Sequence, residues 1–149
     1  MLHPSRSLDE EIKHREEMRL GFEEGEILMV VYGVVSACIG YEGLGLSVGV
    51  VPANIYIAEN GDIVLSDAFL YLNAESMIRS RFVNPSINIS RVRDITIKLI
   101  STLSQNCNSY SLEFIEFVNL LKDGQFTSYR KINEYILYVK AKMQHQSQC

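Results

Sequence analysis

Six side chains of this sequence belong to the types that most often act as nucleophiles, general bases or metal ligands. They are three cysteines and three histidines: Cys38, Cys107, Cys149, His3, His14 and His145. The cysteines are far apart, odd in number and without CxxC or Cys/His spacing, which is typical of idle thiols in a reducing compartment. The histidines lie in polar stretches of the sequence, and no Ser, Cys or Asp lies at a spacing from them that is typical of a catalytic triad or a metal site. We therefore expect no catalytic triad, no metal centre and no disulfide framework.

The composition predicts one acidic globular domain. With 149 residues, of which 47% are hydrophobic and 21% charged, the chain has room for one core, so we expect a single domain over residues 1–149. The net charge of -4 gives no basic footprint for a nucleic acid. Residues 1–19 carry charge throughout, unlike a signal peptide. We expect a cytoplasmic protein that does not bind nucleic acid.

The stretch from Ile27 to Val51 is the most apolar part of the chain, with Glu42 as its single charged residue. A run of about 20 apolar residues is also typical of a membrane span. Glycines interrupt this stretch, Glu42 lies inside it, and neither flank has a Lys/Arg cluster. These features favour a buried helix followed by a loop over Gly43–Gly49, and a membrane span is the alternative.

The clearest local pattern is a β-hairpin turning at Asn60-Gly61. Two alternating runs of β-formers, Asn54–Ile57 and Asp62–Leu65, flank this turn. The glycine supplies the left-handed conformation that such a turn requires. Asn54 can hold the backbone of the loop beside it, and Asp67 can cap the turn that follows the hairpin.

Helical spacing of apolar residues accounts for most of the remaining chain. Ser7 with Glu10 predicts a capping box for a polar surface helix that ends at Gly21. The main buried helix is expected over Phe22–Ile39. Further helices are expected over Ser90–Leu103, over Glu113–Leu121 with Ser111 as N-cap and Asp123-Gly124 as stop, and over Thr127–Lys142, with a frayed tail from Gln144. The predicted fold class is mainly α, with about six helices around one short β-hairpin.

In this order of elements the chain resembles the C-lobe of the protein kinases over about residues 8–139. In that lobe a catalytic loop reading HRDLKPEN precedes a short hairpin, and the magnesium motif DFG ends it. Ser47–Asn54 stands at the position of the catalytic loop and keeps its Pro and its Asn, and Asp67-Ala68-Phe69 stands at the position of DFG. Asp94-Ile95 matches the start of the central helix of the lobe. We expect an eroded C-lobe that begins after the point where an N-lobe would end.

A buried Arg–Glu ion pair of the family is replaced at both of its positions. Gln125 stands where the resemblance places the Arg, and Ser86 stands where it places the Glu. Losing one partner of a buried pair typically costs about 3 to 5 kcal/mol, whereas replacing both can be nearly neutral. The paired replacement is what an eroded but folded domain is expected to carry.

The resemblance implies the fold of a kinase C-lobe but not the phosphoryl transfer that a kinase catalyses. Gly49 stands at the position of the catalytic Asp and has no side chain, while the Gly-rich loop and the strand Lys of a kinase belong to the N-lobe. Asn54 and Asp67 remain as residual magnesium-binding positions. We expect no enzyme, no cofactor and no metal, but a pseudokinase-like interaction module or structural subunit. The alternative is the C-terminal half of a split serine/threonine-type kinase that another chain completes.

The resemblance also implies an interaction face, because an N-lobe covers the upper side of the C-lobe in a complete kinase. Loops around Leu44–Val51 and Ala68–Leu72 are expected to form this face. They carry the apolar residues Leu44, Leu46, Val48, Val50, Phe69, Leu70, Tyr71 and Leu72. Large exposed apolar patches usually mark an interface, so we expect another protein chain or a second copy to cover this one. Structural roles are expected for Pro52, Asn60, Gly61 and Asp94.

Overall fold

The computed structural model describes residues 6–44, 46–58, 62–65, 68–70, 86–102 and 110–147. These residues form five α-helices and four short strands. The helices are α1 (Leu8–Met18), α2 (Glu24–Gly43), α3 (Ser86–Ser101), α4 (Leu112–Lys122) and α5 (Tyr129–Ser147). The strands are β1 (Leu46–Val48), β2 (Ile55–Ile57), β3 (Ile63–Leu65) and β4 (Ala68–Leu70). The mainly α class is confirmed. The resemblance places an activation segment over Leu70–Asn84, of which the structure describes Leu70 alone.

The first helix starts where the sequence predicts and stops earlier. The Ser7 side chain accepts a hydrogen bond from the Glu10 N–H, and the Glu10 carboxylate accepts one from the Ser7 N–H, so the capping box is confirmed. Arg19 adopts a left-handed conformation with φ of 55°, and the Leu20 N–H donates to the Arg15 carbonyl. Because this cap closes the helix after Met18, the predicted end at Gly21 is wrong.

The second helix is the centre of the core. It packs against α3, α5, β1 and β3, and its buried side chains recur at helical spacing from Ile27 to Cys38. The predicted buried helix is therefore confirmed, and it runs one turn beyond Ile39. With 20 residues and a mean hydropathy of 1.3, α2 passes a test of length and composition for a membrane span, a test that the core helix of a soluble protein also passes.

The predicted hairpin is present as β2 and β3. These strands pair antiparallel with Ile55 opposite Leu65 and Ile57 opposite Ile63, and the Ala58 N–H donates to the Asp62 carbonyl at 2.7 Å. The turn residues Asn60 and Gly61 lie outside the described residues. The alternating pattern buries Ile55, Ile57 and Leu65 in the core.

A second antiparallel pair replaces two predicted loops. In it β1 pairs with β4, with Leu46 opposite Leu70 and Val48 opposite Ala68. The sequence predicts loops over Gly43–Gly49 and from Ala68. Both predictions are wrong for the residues that form β1 and β4. Main-chain N–H and C=O groups require partners, and here the two segments supply them to each other.

The two C-terminal helices pack against each other, and local caps set their ends. The Ser111 side chain accepts from the Phe114 N–H at 3.2 Å, as predicted, and Gly124 with φ of 69° follows the end of α4. The Glu24 carboxylate joins α2 to this cap, since it accepts from the Ser111 N–H at 2.6 Å and from its hydroxyl at 3.0 Å. The central α3 begins four residues before Ser90, and α5 continues to Ser147, beyond the predicted helix end at Lys142.

Candidate functional site

The segment before the hairpin is held by a short 3₁₀ turn, Pro52–Asn54. Pro52 occupies its first position, where a missing N–H costs nothing, and the Asn54 N–H donates to the Val51 carbonyl at 2.9 Å. Asn54 is thereby fixed at the start of β2, half-buried. Asp67, the other residual position, lies outside the described residues. The predicted structural role of Pro52 is consistent with this turn.

Asp94 lies across a narrow cleft from that segment. The cleft has a volume of about 190 Å³, and its lining is Val50, Val51, Pro52, Arg91, Asp94, Ile95 and Lys98. The Asp94 carboxylate is exposed and lies 3.4 Å from the Arg93 guanidinium. The middle of α3 is thus brought against the segment before the hairpin, and Asp94, which the resemblance places at the start of this helix, lies well inside it. Asp94 is thus an exposed aspartate among basic side chains, Arg91, Arg93 and Lys98, and not a buried hydrogen-bonding residue.

The predicted interaction face is only partly exposed. Leu44 is 74% exposed at the end of α2, as such a face requires. Val50 is 1% exposed and belongs to the core, so its assignment to the face is wrong: it follows β1 and turns inward before the 3₁₀ turn. Leu46, Val48, Phe69 and Leu70 lie in the paired strands β1 and β4, and Tyr71 and Leu72 lie outside the described residues.

A buried ionic cluster links α1 to the start of α2, and the sequence predictions did not include it. The Arg15 guanidinium binds both oxygens of Glu26 through Nη1 at 3.0 Å and Nη2 at 2.6 Å, and its Nε donates to Glu11 at 3.1 Å. It also donates to the Gly21 carbonyl at 2.8 Å and lies 4.5 Å from the centre of the Phe22 ring. The i,i+4 spacing of Glu11 and Arg15 is the signal that indicates part of this cluster.

Burial and hydrogen bonding act in opposite directions on the Glu26 carboxyl of this cluster. Burial raises its pKa, but hydrogen bonds from Arg15 and from the Glu23 N–H, together with the positive charge of Arg15, outweigh it. The net result is a pKa lowered from 4.5 to about 2. The cluster therefore holds charged groups in place, which is a structural task.

A polar clasp closes the other end of α2. The Glu42 carboxylate accepts a hydrogen bond from the Tyr129 hydroxyl at 3.0 Å and one from the Asn88 side-chain amide at 3.1 Å. Burial, followed by the nearby Glu42, raises the pKa of the Cys38 thiol to about 12. Since only the thiolate is a good nucleophile, this cysteine is inert at neutral pH. The clasp joins three helices, which is a structural role.

Within the residues that the structure describes, no three His, Cys, Asp or Glu side chains converge as a metal site would require. No protein-family model matches the chain, and no curated protein matches it significantly.

Proposed function

We propose that this chain is a catalytically inactive, kinase C-lobe-like module whose task is to bind another protein chain. The observation that carries the proposal is the segment between β1 and β2. At the position of the catalytic base it has Gly49, and beyond that residue the chain is anchored by buried Val50 and the 3₁₀ turn at Pro52. Phosphoryl transfer needs a carboxylate there to orient and deprotonate the hydroxyl nucleophile.

The arrangement of described elements supports the C-lobe likeness. A buried helix, a proline-led turn and the β2–β3 hairpin follow one another in the expected order, with β1 where a loop was expected, and Asp94 of α3 lines the same cleft as Pro52. The exposure of Leu44 beside the β1–β4 pair supports an association face. Such a side chain is stabilised when a partner removes it from water.

We expect no binding of Mg-ATP by the purified chain. Within these 149 residues no segment matches the Gly-rich loop or the strand Lys with which a kinase holds ATP, and Gly49 cannot act as a base. A thermal-shift titration with Mg-ATP should leave the melting temperature unchanged, because only a ligand of the folded state raises it. A saturable upward shift that Asp67→Ala abolishes would contradict the proposal and favour the split-kinase alternative.

We expect substitutions on the association face to abolish partner binding and improve solubility. Leu44→Asp is the variant with the best-defined surroundings, and Phe69→Asp with Tyr71→Asp tests the adjoining residues. Leu112→Asp on α4 is the matched control, because Leu112 is 67% exposed but distant in the chain from this face. Light scattering at micromolar concentration and capture of the partner from a lysate, using the wild-type chain as bait, measure the two effects.

The result that would exclude an interface on this face is equally definite. A wild-type chain that stays monodisperse and soluble, captures no partner, and behaves like both face variants would show that nothing covers Leu44. Equal effects of Leu44→Asp and Leu112→Asp would indicate a general response to surface charge.

A further inference from the structure

One side of α5 carries a row of side chains at helical spacing, called the stripe here, which includes exposed aromatic and charged residues. Its members are Lys131, Glu134, Tyr135, Tyr138, Ala141 and Lys142. Tyr138 is 46% exposed, and its ring lies 5.4 Å from that of half-buried Tyr135. Tyr135 in turn stacks on buried Phe117 at 5.7 Å. Tyr135 therefore packs on the core, and Tyr138 packs on Tyr135.

Two charged members of the stripe lie at equal distances on either side of Tyr138 and have opposite signs. Glu134 lies four residues before it and Lys142 four residues after it, and both are exposed. Neither forms an ion pair with another residue that the structure describes. The Lys142 ammonium lies 5.8 Å from the Tyr138 ring, on the same side of the helix.

This arrangement is complementary to itself under a two-fold axis. A step of four residues covers about 6 Å of helix. When two copies of α5 run antiparallel and cross at Tyr138, Glu134 therefore meets the partner's Lys142, and Lys142 meets Glu134 of the partner subunit. In a two-fold interface every contact occurs twice. A parallel arrangement in register would instead bring equal charges together.

The shape of the surface fits the same arrangement. Ala141, three residues from Tyr138, stands opposite Tyr135 of the partner subunit, and its small side chain leaves room for that ring. Beside the stripe is an open groove of about 670 Å³, lined by Leu120, Gln125, Phe126, Lys131, Glu134, Tyr135 and Tyr138. Aromatic rings in such a groove are favoured contacts for another aromatic ring.

We propose that a second copy of the chain docks on this stripe, antiparallel along α5, with the two-fold axis at Tyr138 and two Glu134–Lys142 ion pairs across it. This proposal names a surface that the proposed function does not use and does not rest on that function. The wild-type chain is expected to be a dimer at micromolar concentration, by sedimentation or light scattering.

Charge reversal tests the pairing. Glu134→Lys places lysine against the partner's Lys142 at both ends of the interface, and Lys142→Glu places glutamate against Glu134 of the partner subunit. Each variant should raise the dimer dissociation constant by roughly tenfold or more, and the double variant should restore it. Lys122→Glu on α4 is the control and should have no effect. A monomeric wild type, insensitivity to both reversals, or a double variant that is not restored would overturn the proposal.

Disulfide trapping tests the position of the axis independently of affinity. Cysteines at a two-fold axis approach each other closely, and a disulfide requires Cα atoms within about 7 Å. In a Cys107→Ser, Cys149→Ser background, Tyr138→Cys should give a covalent dimer under a mild oxidant, whereas Leu137→Cys, exposed on the neighbouring position, should not. Equal trapping at both positions, or none at 138, would contradict the axis. If Leu44→Asp dissociates the dimer while the charge reversals at Glu134 and Lys142 do not, the chain self-associates through the face that contains Leu44 and the proposal is wrong.

Discussion

Replacing Arg15 with methionine is expected to destabilise the protein by about 3 to 5 kcal/mol, the usual cost of removing one partner from a buried charge cluster. The substitution removes the Arg15 cation from two carboxylates: Glu11, which is fully buried and keeps a 3.4 Å contact with Arg6, and Glu26, which is 12% exposed. It also removes the donor to the Gly21 carbonyl. Urea denaturation of wild type and variant measures the change in the free energy of unfolding, provided that both show the same dependence of this free energy on urea concentration.

Lys13→Met is the matched control for this prediction. Lys13 belongs to the same helix and pairs with Asp9 at 3.6 Å, but both groups are largely in water. Exposed pairs of this kind contribute about 0 to 1 kcal/mol. A similar loss of stability in Lys13→Met and Arg15→Met would show that the Arg15 cluster is not buried as the structure has it.

The same cluster predicts how stability depends on pH. The pKa of Glu26 is about 2 in the folded protein, against 4.5 as its ordinary value. A carboxyl whose pKa is depressed by folding stabilises the folded state fully above its ordinary pKa, and this contribution is lost as pH falls from about 4.5 towards about 2. Glu26→Gln should flatten the fall in the urea midpoint over that window. An unchanged slope would contradict the prediction.

Alanine at two glycines of α2 is expected to have opposite effects. At Gly33, an added Cβ lies 2.5 Å from Ile63 Cγ1 and 2.7 Å from Ile63 Cβ, and a Cβ cannot swing aside. The β2–β3 hairpin must shift, so Gly33→Ala should cost about 1 to 3 kcal/mol. At Gly40, an added Cβ meets nothing within 4 Å. Gly40→Ala should therefore stabilise by about 0.5 to 1 kcal/mol through helix propensity alone.

Thermal denaturation of the two variants side by side checks this pair of predictions. Because both substitutions are chemically identical and lie two turns apart on one helix, differences in expression or in the unfolded chain largely cancel. Stabilisation by both would mean that the hairpin does not dock on Gly33. Destabilisation by both would mean that another part of the protein packs against Gly40.

Features that depend on neighbouring residues were predictable from the sequence. The capping box at Ser7, the N-cap at Ser111 and the hairpin beside Asn60-Gly61 each involve residues within a few positions of one another, and the described parts of all three match the prediction. The mainly α class follows from the same local signals, because helical periodicity is read within one helix.

Features that depend on distant residues were not predictable in this way. The β1–β4 pair joins two three-residue segments, and a three-residue alternation among glycines is too short to indicate a strand. Val50 illustrates the same limit at the candidate site: it is as apolar as exposed Leu44, and only the packing of the folded chain separates the two. Glu26 likewise reaches Arg15 from another helix, eleven residues away.

The clasp at Glu42 also has a consequence for how the chain acquires its structure during synthesis. Its two donors are 46 and 87 residues further along the chain, in α3 and at the start of α5. A nascent chain that has released only α1, α2 and the hairpin holds this carboxylate without either donor. The end of α2 therefore gains its last fixed neighbour only when Tyr129 has left the ribosome, and folding of the domain is expected to be completed late.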